Sequence, residues 1–331
     1  MATSYPDRTN ARGIWNVNQI SRNYLTEGTF PISGVRLLAG GGNTAPSRVN
    51  AIEYITINVL GNGTDFGDLS AARDFLGSAS NFTRALWGGG NTGSVSNVID
   101  YVTFSTLGDA ADFGNLTVAR TQTKGLANTT RAVFGGARTP SADDVLDYVT
   151  IATTGDAVDF GDLTVARWDP GGLSSPIRGL FAGGYSPANL NTIDYINIDS
   201  TGDAVDFGDL TLARRTPAAT SSFTRGVVQG GFASSYDDTV DYITIASHGD
   251  AVNFGDLSVA RTSAAAGANT TRAICYGGDV SDAAQNTIDY ITITSAGNST
   301  DFGDAAVATI GNAGCSNGHG GLDVYDPTTR V

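Results

Sequence analysis

Residues 147–167 read DYVTIATTGDAVDFGDLTVAR, and variants of this stretch occur six times in the 331-residue chain. The acidic-Tyr pair that opens it recurs every 47 or 48 residues, a Phe-Gly pair follows each copy, and Ala-Arg closes all but the last, where Thr309 replaces the arginine. A repeat of this length indicates a propeller or a solenoid, because each unit must stack on its neighbours to bury its faces. The acidic residues of the pairs are Glu53, Asp100, Asp147, Asp194, Asp241 and Asp289.

One unit contains short strand patterns and no sustained helical period. Arg131–Gly136 is an apolar run ended by two glycines, and Val145–Ile151 alternates β-branched and aromatic residues. Val158–Val165 gives a third strand pattern with a glycine kink, and the segment through Gly171–Leu173 can supply a fourth strand. Six such units predict an all-β, six-bladed β-propeller.

The unit resembles the kelch repeat. It has a strand ending in Gly-Gly, then a strand with an acidic-Tyr pair, then a bulky aromatic residue and an arginine. Two features differ from kelch repeats: Phe160 stands where tryptophan is usual, and the tyrosine follows its acidic residue. The resemblance covers residues 35–321, and it implies an architecture without implying an activity.

The two ends of the repeat region predict how the ring closes. The first unit starts at Arg36 with what should be a second strand, and residues 310–321 repeat the missing part. We therefore expect the C-terminal segment to complete the first blade, which removes open sheet edges. A seven-bladed ring is the alternative. The predicted domains are an N-terminal arm at 1–33, a propeller at 34–321 and a tail at 322–331.

The arm holds too few apolar residues to build a core. We predict an extended docking arm, with an arm folded back on its own propeller as the alternative. No apolar run typical of a signal peptide follows Met1. The predicted contact residues of the arm are Ile14, Trp15, Val17, Ile20, Tyr24 and Phe30.

Two stretches are similar to bacteriophage sequences. The segment Gly13–Ile20, followed by Gly28–Pro31, is similar to the opening of structural proteins of tailed phages, and the repeat phrase looks like kelch-type repeats in virion proteins of marine and cyanobacterial phages. The resemblance implies a virion structural protein, in the tail, a fibre or the particle surface. It implies other virion proteins as partners and several copies in each particle.

Composition argues against two classes of partner. The net charge of −14 argues against bare nucleic acid, which requires a basic face, and the lack of an 18-residue apolar span argues against membrane insertion. Eleven of the 19 basic residues occupy two repeat positions, before the apolar strand and after alanine. This placement predicts a ring of Asp–Arg pairs that links strands or neighbouring blades.

No catalytic set or cofactor site is predicted. Asp-Phe-Gly occurs here without the other loops of a protein kinase. The spacing of Asp156, Asp159 and Asp162 would suit calcium, although Asx turns and backbone capping explain the same residues.

The histidines and cysteines are few. His248 and His319 lie near neither a cysteine nor another histidine in the sequence, so the copper site of kelch-like oxidases is not expected. Cys275 and Cys315 are interpreted as core thiols, with a disulfide between them as the alternative.

The connection between Gly-Gly and the acidic-Tyr pair differs most among the six copies. In an up-and-down blade it emerges on the same face as the connections between blades. Trp168, Tyr185, Phe232 and Tyr236 fall in these segments and are candidate contacts to a protein or a sugar. Aromatic rings folded back over the blade ends are the alternative.

These features together predict a non-enzymatic virion structural protein. It would dock by its arm and present a rigid propeller to other proteins or to a host-surface glycan or protein. A carbohydrate-binding receptor-recognition propeller is the first alternative, and a bacterial kelch enzyme is the second.

Overall fold

The computed structural model describes residues 35–322, and every regular element in this range is a β-strand. The strands form six four-stranded antiparallel sheets and one two-stranded ribbon. The sheets are the blades of a six-bladed β-propeller, as the repeat predicts. Within the described range no helix has the length and apolar character needed to cross a membrane.

Strands are numbered in chain order and given from the innermost strand of each blade outwards. Blade 1 contains β26 (Ala313–Ser316), β1 (Arg36–Gly40), β2 (Ala51–Thr56) and β3 (Thr64–Asp68). Blade 2 contains β4 (Gly77–Ser80), β5 (Arg84–Gly88), β6 (Val98–Thr103) and β7 (Ala111–Asn115). Blade 3 contains β8 (Lys124–Ala127), β9 (Arg131–Gly135), β12 (Val145–Thr150) and β13 (Val158–Asp162), with the ribbon β10 (Ala137–Arg138) and β11 (Ala142–Asp143) between its middle strands.

The remaining three blades follow the same order. Blade 4 contains β14 (Gly171–Ser174), β15 (Arg178–Ala182), β16 (Thr192–Asn197) and β17 (Val205–Asp209). Blade 5 contains β18 (Ala218–Ser221), β19 (Arg225–Phe232), β20 (Tyr236–Thr244) and β21 (Val252–Asp256). Blade 6 contains β22 (Ala265–Ala268), β23 (Arg272–Val280), β24 (Ala283–Thr292) and β25 (Thr300–Asp304).

The C-terminal strand closes the ring. Strand β26 pairs antiparallel with β1, from Leu37 opposite Ser316 to Gly40 opposite Ala313. Blade 1 is therefore built from both ends of the described chain, as expected from the missing first strand. The pairing covers the inner edge of β1 and gives blade 1 the same four strands as the other five blades.

Strand boundaries differ from the sequence-based expectation in three places. The segment Gly171–Ser174 pairs with the following repeat and is the innermost strand of blade 4, so it is not the fourth strand of its own unit. Strand β13 ends at Asp162 because Leu163 turns to donate its N–H to Asp144. In blades 5 and 6 the middle hairpin extends into the predicted loops, and in blade 6 it turns at two residues of positive φ, Ser281 and Asp282.

The Phe-Gly pair has a packing role that explains its recurrence. Phe160 is buried and lies edge-on to Tyr148, with ring centroids 5.8 Å apart. Gly161 has φ +142°, and a Cβ there would lie 2.5 Å from the carbonyl of Gly202 in the next blade. Gly202 donates its N–H to the Phe160 carbonyl at 2.7 Å. Only glycine allows this close approach between blades.

The hydrophobic core lies between blades. Each of six apolar clusters joins the face of one blade to the facing side of the next; for example, Phe134 and Val149 of blade 3 pack with Leu86 and Ile99 of blade 2. Burial of these faces is the main stabilising contribution to the ring.

A ring of six arginines ties each blade to the next at the start of its second strand. Arg131 places its guanidinium 4.7 Å from the Tyr148 ring centroid and donates to the Ile198 carbonyl of the next blade at 3.1 Å. The other five arginines make the same two contacts. The six residues are Arg36, Arg84, Arg131, Arg178, Arg225 and Arg272.

A second set of arginines forms buried ion pairs, as predicted. Each comes from the segment that leaves one blade and binds the acidic residue of the next blade's acidic-Tyr pair. Burial lowers the pKa of Arg120, Arg167 and Arg214, and the partner aspartates offset part of that effect. The five pairs are Arg73–Asp100, Arg120–Asp147, Arg167–Asp194, Arg214–Asp241 and Arg261–Asp289.

The interface between blades 6 and 1, the closing interface, lacks this pair. Thr309 takes the place of the arginine, and the Tyr276 hydroxyl donates to the buried Glu53 carboxylate. Glu53 also accepts the backbone N–H groups of Ala306 and Val307. A cavity of about 10 Å³, lined in part by Thr309, Tyr276 and Asn312, remains there.

Candidate functional site

The face of the ring that carries the variable loops is organised by six equivalent bridges. In each bridge, two residues exchange two backbone hydrogen bonds. One residue directly follows the closing Ala-Arg or Ala-Thr of a unit, and the other lies at or just after the end of the next apolar strand. The bridges are alike in backbone and different in side chains. The six pairs are Asn43–Ile310, Asp74–Asn91, Thr121–Arg138, Trp168–Tyr185, Arg215–Phe232 and Thr262–Asp279.

Three consecutive bridges, in blades 3, 4 and 5, bring together arginines and aromatic rings. We call these five residues the Trp168 cluster: Arg138, Trp168, Tyr185, Arg215 and Phe232. The other three bridges contain neither a basic nor an aromatic residue. The loop face is therefore chemically asymmetric, although its backbone is nearly sixfold.

The rings and guanidinium groups of the Trp168 cluster are in contact. The Trp168 and Tyr185 ring centroids lie 4.7 Å apart. The Arg215 guanidinium carbon lies 4.5 Å from the Phe232 centroid, 5.2 Å from that of Tyr185 and 5.9 Å from that of Trp168. Arg138 approaches Trp168 at 5.7 Å. Two cations therefore flank one indole ring.

All four aromatic candidates from the sequence lie in or beside this cluster. Tyr236 meets Phe232 edge-on, with centroids 5.5 Å apart, and its hydroxyl donates to Asp279 at 3.1 Å. Each of the four is half-buried, so the rings cover the blade ends and still present one side to solvent. The rings lie over the blade ends as the folded-back alternative describes, and contact with a protein or a sugar stays a prediction.

The sequence analysis did not predict the arginines of the cluster, although their positions outside the repeat distinguish them from the other basic residues. Four basic residues of the described chain fall outside the two repeat positions, and all four lie on the loop face: Arg48, Lys124, Arg138 and Arg215. Arg48 pairs with Asp74 at 3.1 Å. For the other three, no carboxylate of residues 35–322 lies within 4 Å.

A closed ring of backbone hydrogen bonds surrounds the mouth of the central channel on this face. Six equivalent residues each donate an N–H to the carbonyl of the preceding one, at 2.8–3.1 Å. All have positive φ, and five are not glycine, so each of the five carries a backbone cost of about 1–2 kcal/mol. The ring consists of Phe75, Gln122, Asp169, Thr216, Ser263 and Gly311.

Asp169 is the buried acid of this ring and lies directly after Trp168. Its carboxylate accepts from the Gln122 amide at 2.8 Å. Burial raises its pKa to about 6, while Lys124, Gln122, Arg215 and Arg138 act in the opposite direction. Burial also lowers the pKa of Lys124, the one lysine of the chain, and Asp169 offsets part of that effect.

The far end of the channel is filled by the segment after β26. His319 bonds the Ser80 carbonyl through Nε2 at 2.9 Å and accepts the Gly321 N–H at Nδ1. Burial lowers the pKa of His319 to about 4, so the ring is neutral at pH 7. A cavity of about 40 Å³ between the inner strands and His319 has room for two or three water molecules.

The calcium candidates Asp156, Asp159 and Asp162 are not gathered with other ligand side chains. No three His, Cys, Asp or Glu side chains within residues 35–322 converge as metal ligands would. Asp156 instead accepts the backbone N–H of Asn115 at 2.9 Å, and the Asp162 N–H is donated to Asp203 at 3.1 Å. Asp156 and Asp203 therefore cap backbone N–H groups of the preceding blade, and Asp162 takes part in such a contact through its N–H.

The cysteines and the second histidine are packing residues. Cys275 and Cys315 are free and buried, so the disulfide alternative is wrong. Burial raises the pKa of Cys315 to about 12. His248 stacks on Tyr195 and Phe207, at centroid distances of 4.6 and 5.3 Å.

The arm candidates Ile14, Trp15, Val17, Ile20, Tyr24 and Phe30 lie outside the described residues, as do residues 323–331 of the predicted tail. Comparison of the sequence with protein-family models and with curated proteins yields no match.

Proposed function

We propose that this chain is a non-enzymatic structural protein of a phage particle, which docks by residues 1–33 and presents a rigid propeller. The observation that carries the proposal is the division of the propeller into an invariant frame and one variable face. The frame repeats its arginine, tyrosine and Phe-Gly contacts in all six blades, whereas chemical variety is concentrated in the bridges of the loop face. Such a division suits a scaffold that displays a contact surface.

The sequence resemblance supports a location in a virion. The kelch-type repeat phrase and the Gly13–Ile20 segment are the two stretches that resemble phage structural proteins. Other virion proteins are the proposed partners of the arm, with several copies of the chain in each particle. The loop face is the proposed contact surface for a protein or glycan of the host.

Incorporation into particles tests this proposal. Particles are assembled in cells that express either the full chain or a chain without residues 1–33, and the purified particles are probed for the propeller. We expect the shortened chain to stay a folded monomer and to be absent from particles. A Trp168→Ala/Tyr185→Ala variant is the control, and it should be incorporated normally.

The opposite result would reject the docking role. If the shortened chain enters particles at the level of the full chain, residues 1–33 do not anchor it.

The Trp168 cluster favours carbohydrate binding as a second candidate function. Half-buried aromatic rings beside hydrogen-bond donors are suited to stack on a sugar and fix its orientation. Binding of the purified full chain to a glycan array, compared with Trp168→Ala/Tyr185→Ala, tests this candidate. Equal signals from both proteins would reject it.

A further inference from the structure

The Trp168 cluster contains two positively charged side chains on a protein with a net negative charge. The chain has a net charge of −14, yet Arg138 and Arg215 have no carboxylate of the described residues within 4 Å. Each arginine in the buried pairs, by contrast, has an aspartate partner. Unpaired guanidinium groups at a surface retain donors that can bind an oxyanion in bidentate geometry.

The Arg215 guanidinium group is held in place before any ligand arrives. Arg215 rests on three rings and donates to the Asn189 side-chain oxygen at 3.3 Å. Asn189 is in turn fixed by donating to the carbonyls of Phe232 and Ala233. Arg138 is more exposed and extends from the ribbon of blade 3. Such ordering reduces the entropy lost on binding.

We propose that the Trp168 cluster binds an acidic saccharide, with Arg138 and Arg215 as the cations that attract its carboxylate groups, while the rings of Trp168 and Tyr185 support a sugar face. The proposal deepens the carbohydrate-binding candidate and rests on it. It names the chemical class of the ligand, which the aromatic rings alone do not define.

The surroundings favour a small ligand over a large anion. Acidic side chains lie beside the cluster: Asp143 in strand β11 of the ribbon, Asp237 near the start of β20, Asp279 beside Tyr236, and the buried Asp169, which interacts electrostatically with both arginines. An extended polyanion such as nucleic acid would meet these carboxylates and be repelled. A short acidic oligosaccharide carries fewer negative charges and is repelled less by these carboxylates.

Titration of the full chain with matched oligosaccharides tests the proposal. The probes are a hyaluronan tetrasaccharide, which carries glucuronate, and chitotetraose, which is neutral, with binding measured by calorimetry. We expect the acidic tetrasaccharide to bind at least about tenfold more tightly, because a charge-assisted contact is worth about 1.4 kcal/mol or more.

Two variants and a control assign the binding to the cluster. Arg138→Gln is exposed and should keep the fold, and Arg215→Gln removes the central guanidinium; each should weaken binding of the acidic tetrasaccharide about tenfold. Arg48→Gln removes the same charge from the same face outside the cluster, and it should leave binding unchanged. Thermal melting of each variant shows whether the propeller is intact.

Each of three outcomes would overturn the proposal, in addition to the binding of chitotetraose alone. These are equal binding of the acidic and neutral tetrasaccharides, an equal loss in Arg48→Gln, and equally tight binding of a tetraglutamate peptide. Because purified protein is used, the docking role of residues 1–33 can fail or succeed independently. Binding of chitotetraose alone would keep the carbohydrate candidate and reject the acidic ligand.

Discussion

Five blade interfaces bury an arginine with an aspartate, and the closing interface buries Glu53 with a tyrosine instead. The outer arginine contact to the neighbouring carbonyl is present at all six interfaces, Arg272 to Ile57 included. The interfaces therefore differ in the buried pair, which is Arg–Asp at five of them and Tyr276–Glu53 at the closing interface. Burying two charges is favourable only when their geometry is good, whereas Tyr276 and two backbone N–H groups satisfy Glu53 with one buried charge.

The comparison separates what a repeat requires from what closure requires. At every interface a short stretch of chain leads from the outer strand of one blade to the innermost strand of the next, and at the closing interface this stretch is residues 305–312, between β25 and β26. The closing interface differs in that β26 pairs with β1, from the other end of the described chain, and in that Tyr276 and Glu53 take the place of the ion pair. An interface of this ring can therefore form without the ion pair.

The largest effect is expected from breaking one ion pair. Arg73→Met leaves Asp100 buried and without its cation, and we expect a loss of about 3–5 kcal/mol in the free energy of unfolding. The double variant Arg73→Met/Asp100→Leu should lose clearly less, because no charge stays buried alone. Urea denaturation of the three proteins measures both values, and a double variant as unstable as the single one would contradict the argument.

Asp169 sharpens the comparison, because it is a buried carboxylate without a cation within 4 Å among the described residues. Its folded pKa of about 6 lies above the usual 3.8, so the native state binds this proton more tightly than the unfolded state does. The protonated Asp169 therefore stabilises the folded state fully below pH 4, and this stabilisation is lost as the pH rises through 6. Over that window the wild type should lose up to about 3 kcal/mol relative to Asp169→Asn.

Denaturation of both proteins at pH 4, 6 and 8 measures the effect. The asparagine keeps an oxygen that can accept from Gln122, so Asp169→Asn should be the more stable protein at pH 8. His319 titrates in the same range in both proteins, and its effect cancels in the difference. A difference that does not vary with pH would show that Asp169 is not titrating as described.

A smaller effect is expected at the closing interface. Tyr276→Phe removes one donor to Glu53 and leaves two, so we expect a loss of about 2 kcal/mol. Burial and the nearby carboxylate raise the pKa of Tyr276, so the phenol stays a donor at all working pH values. Thermal melting compares this variant with Arg73→Met. Equal losses would mean that the closing interface depends on its hydrogen bond as strongly as the others depend on their ion pairs.

The smallest effect is expected in the outer arginine ring. Arg84→Gln removes a contact to the Tyr101 ring and a hydrogen bond to the Ile151 carbonyl, both half-buried. We expect a loss of about 1 kcal/mol. The matching variant Arg272→Gln, at the closing interface, should lose a similar amount. A much larger loss for Arg272→Gln would show that closure relies on the outer ring.

Much of the frame could be predicted from the repeat, and parts of it could not. Strand patterns, the Arg–Asp pairs and closure by the C-terminal segment follow from spacing, because every copy must satisfy the same neighbours. The assignment of Gly171–Ser174 to the next blade could not be predicted, since a strand pattern does not name its partner. The extended hairpins of blades 5 and 6 were missed because their residues differ from those of the other copies.

The candidate site was predicted in its aromatic residues only. Trp168, Tyr185, Phe232 and Tyr236 stood out as unusual residues in variable segments. Arg138 and Arg215 gave a weaker signal, because a basic residue in a loop is ordinary until its neighbours are known. Their convergence on Trp168 depends on bridges between residues 17 positions apart in the sequence, such as Thr121 with Arg138.

The sequence by itself determined a six-bladed ring closed by its last strand. It did so because a unit with two apolar faces has to be covered by another unit, and the C-terminal segment repeats the strand that the first of the six copies lacks. Only the tertiary structure decided which side chains meet on the loop face. Those contacts join residues of different blades, and the geometry of the closed ring, rather than any local pattern, brings them within a few ångströms of each other.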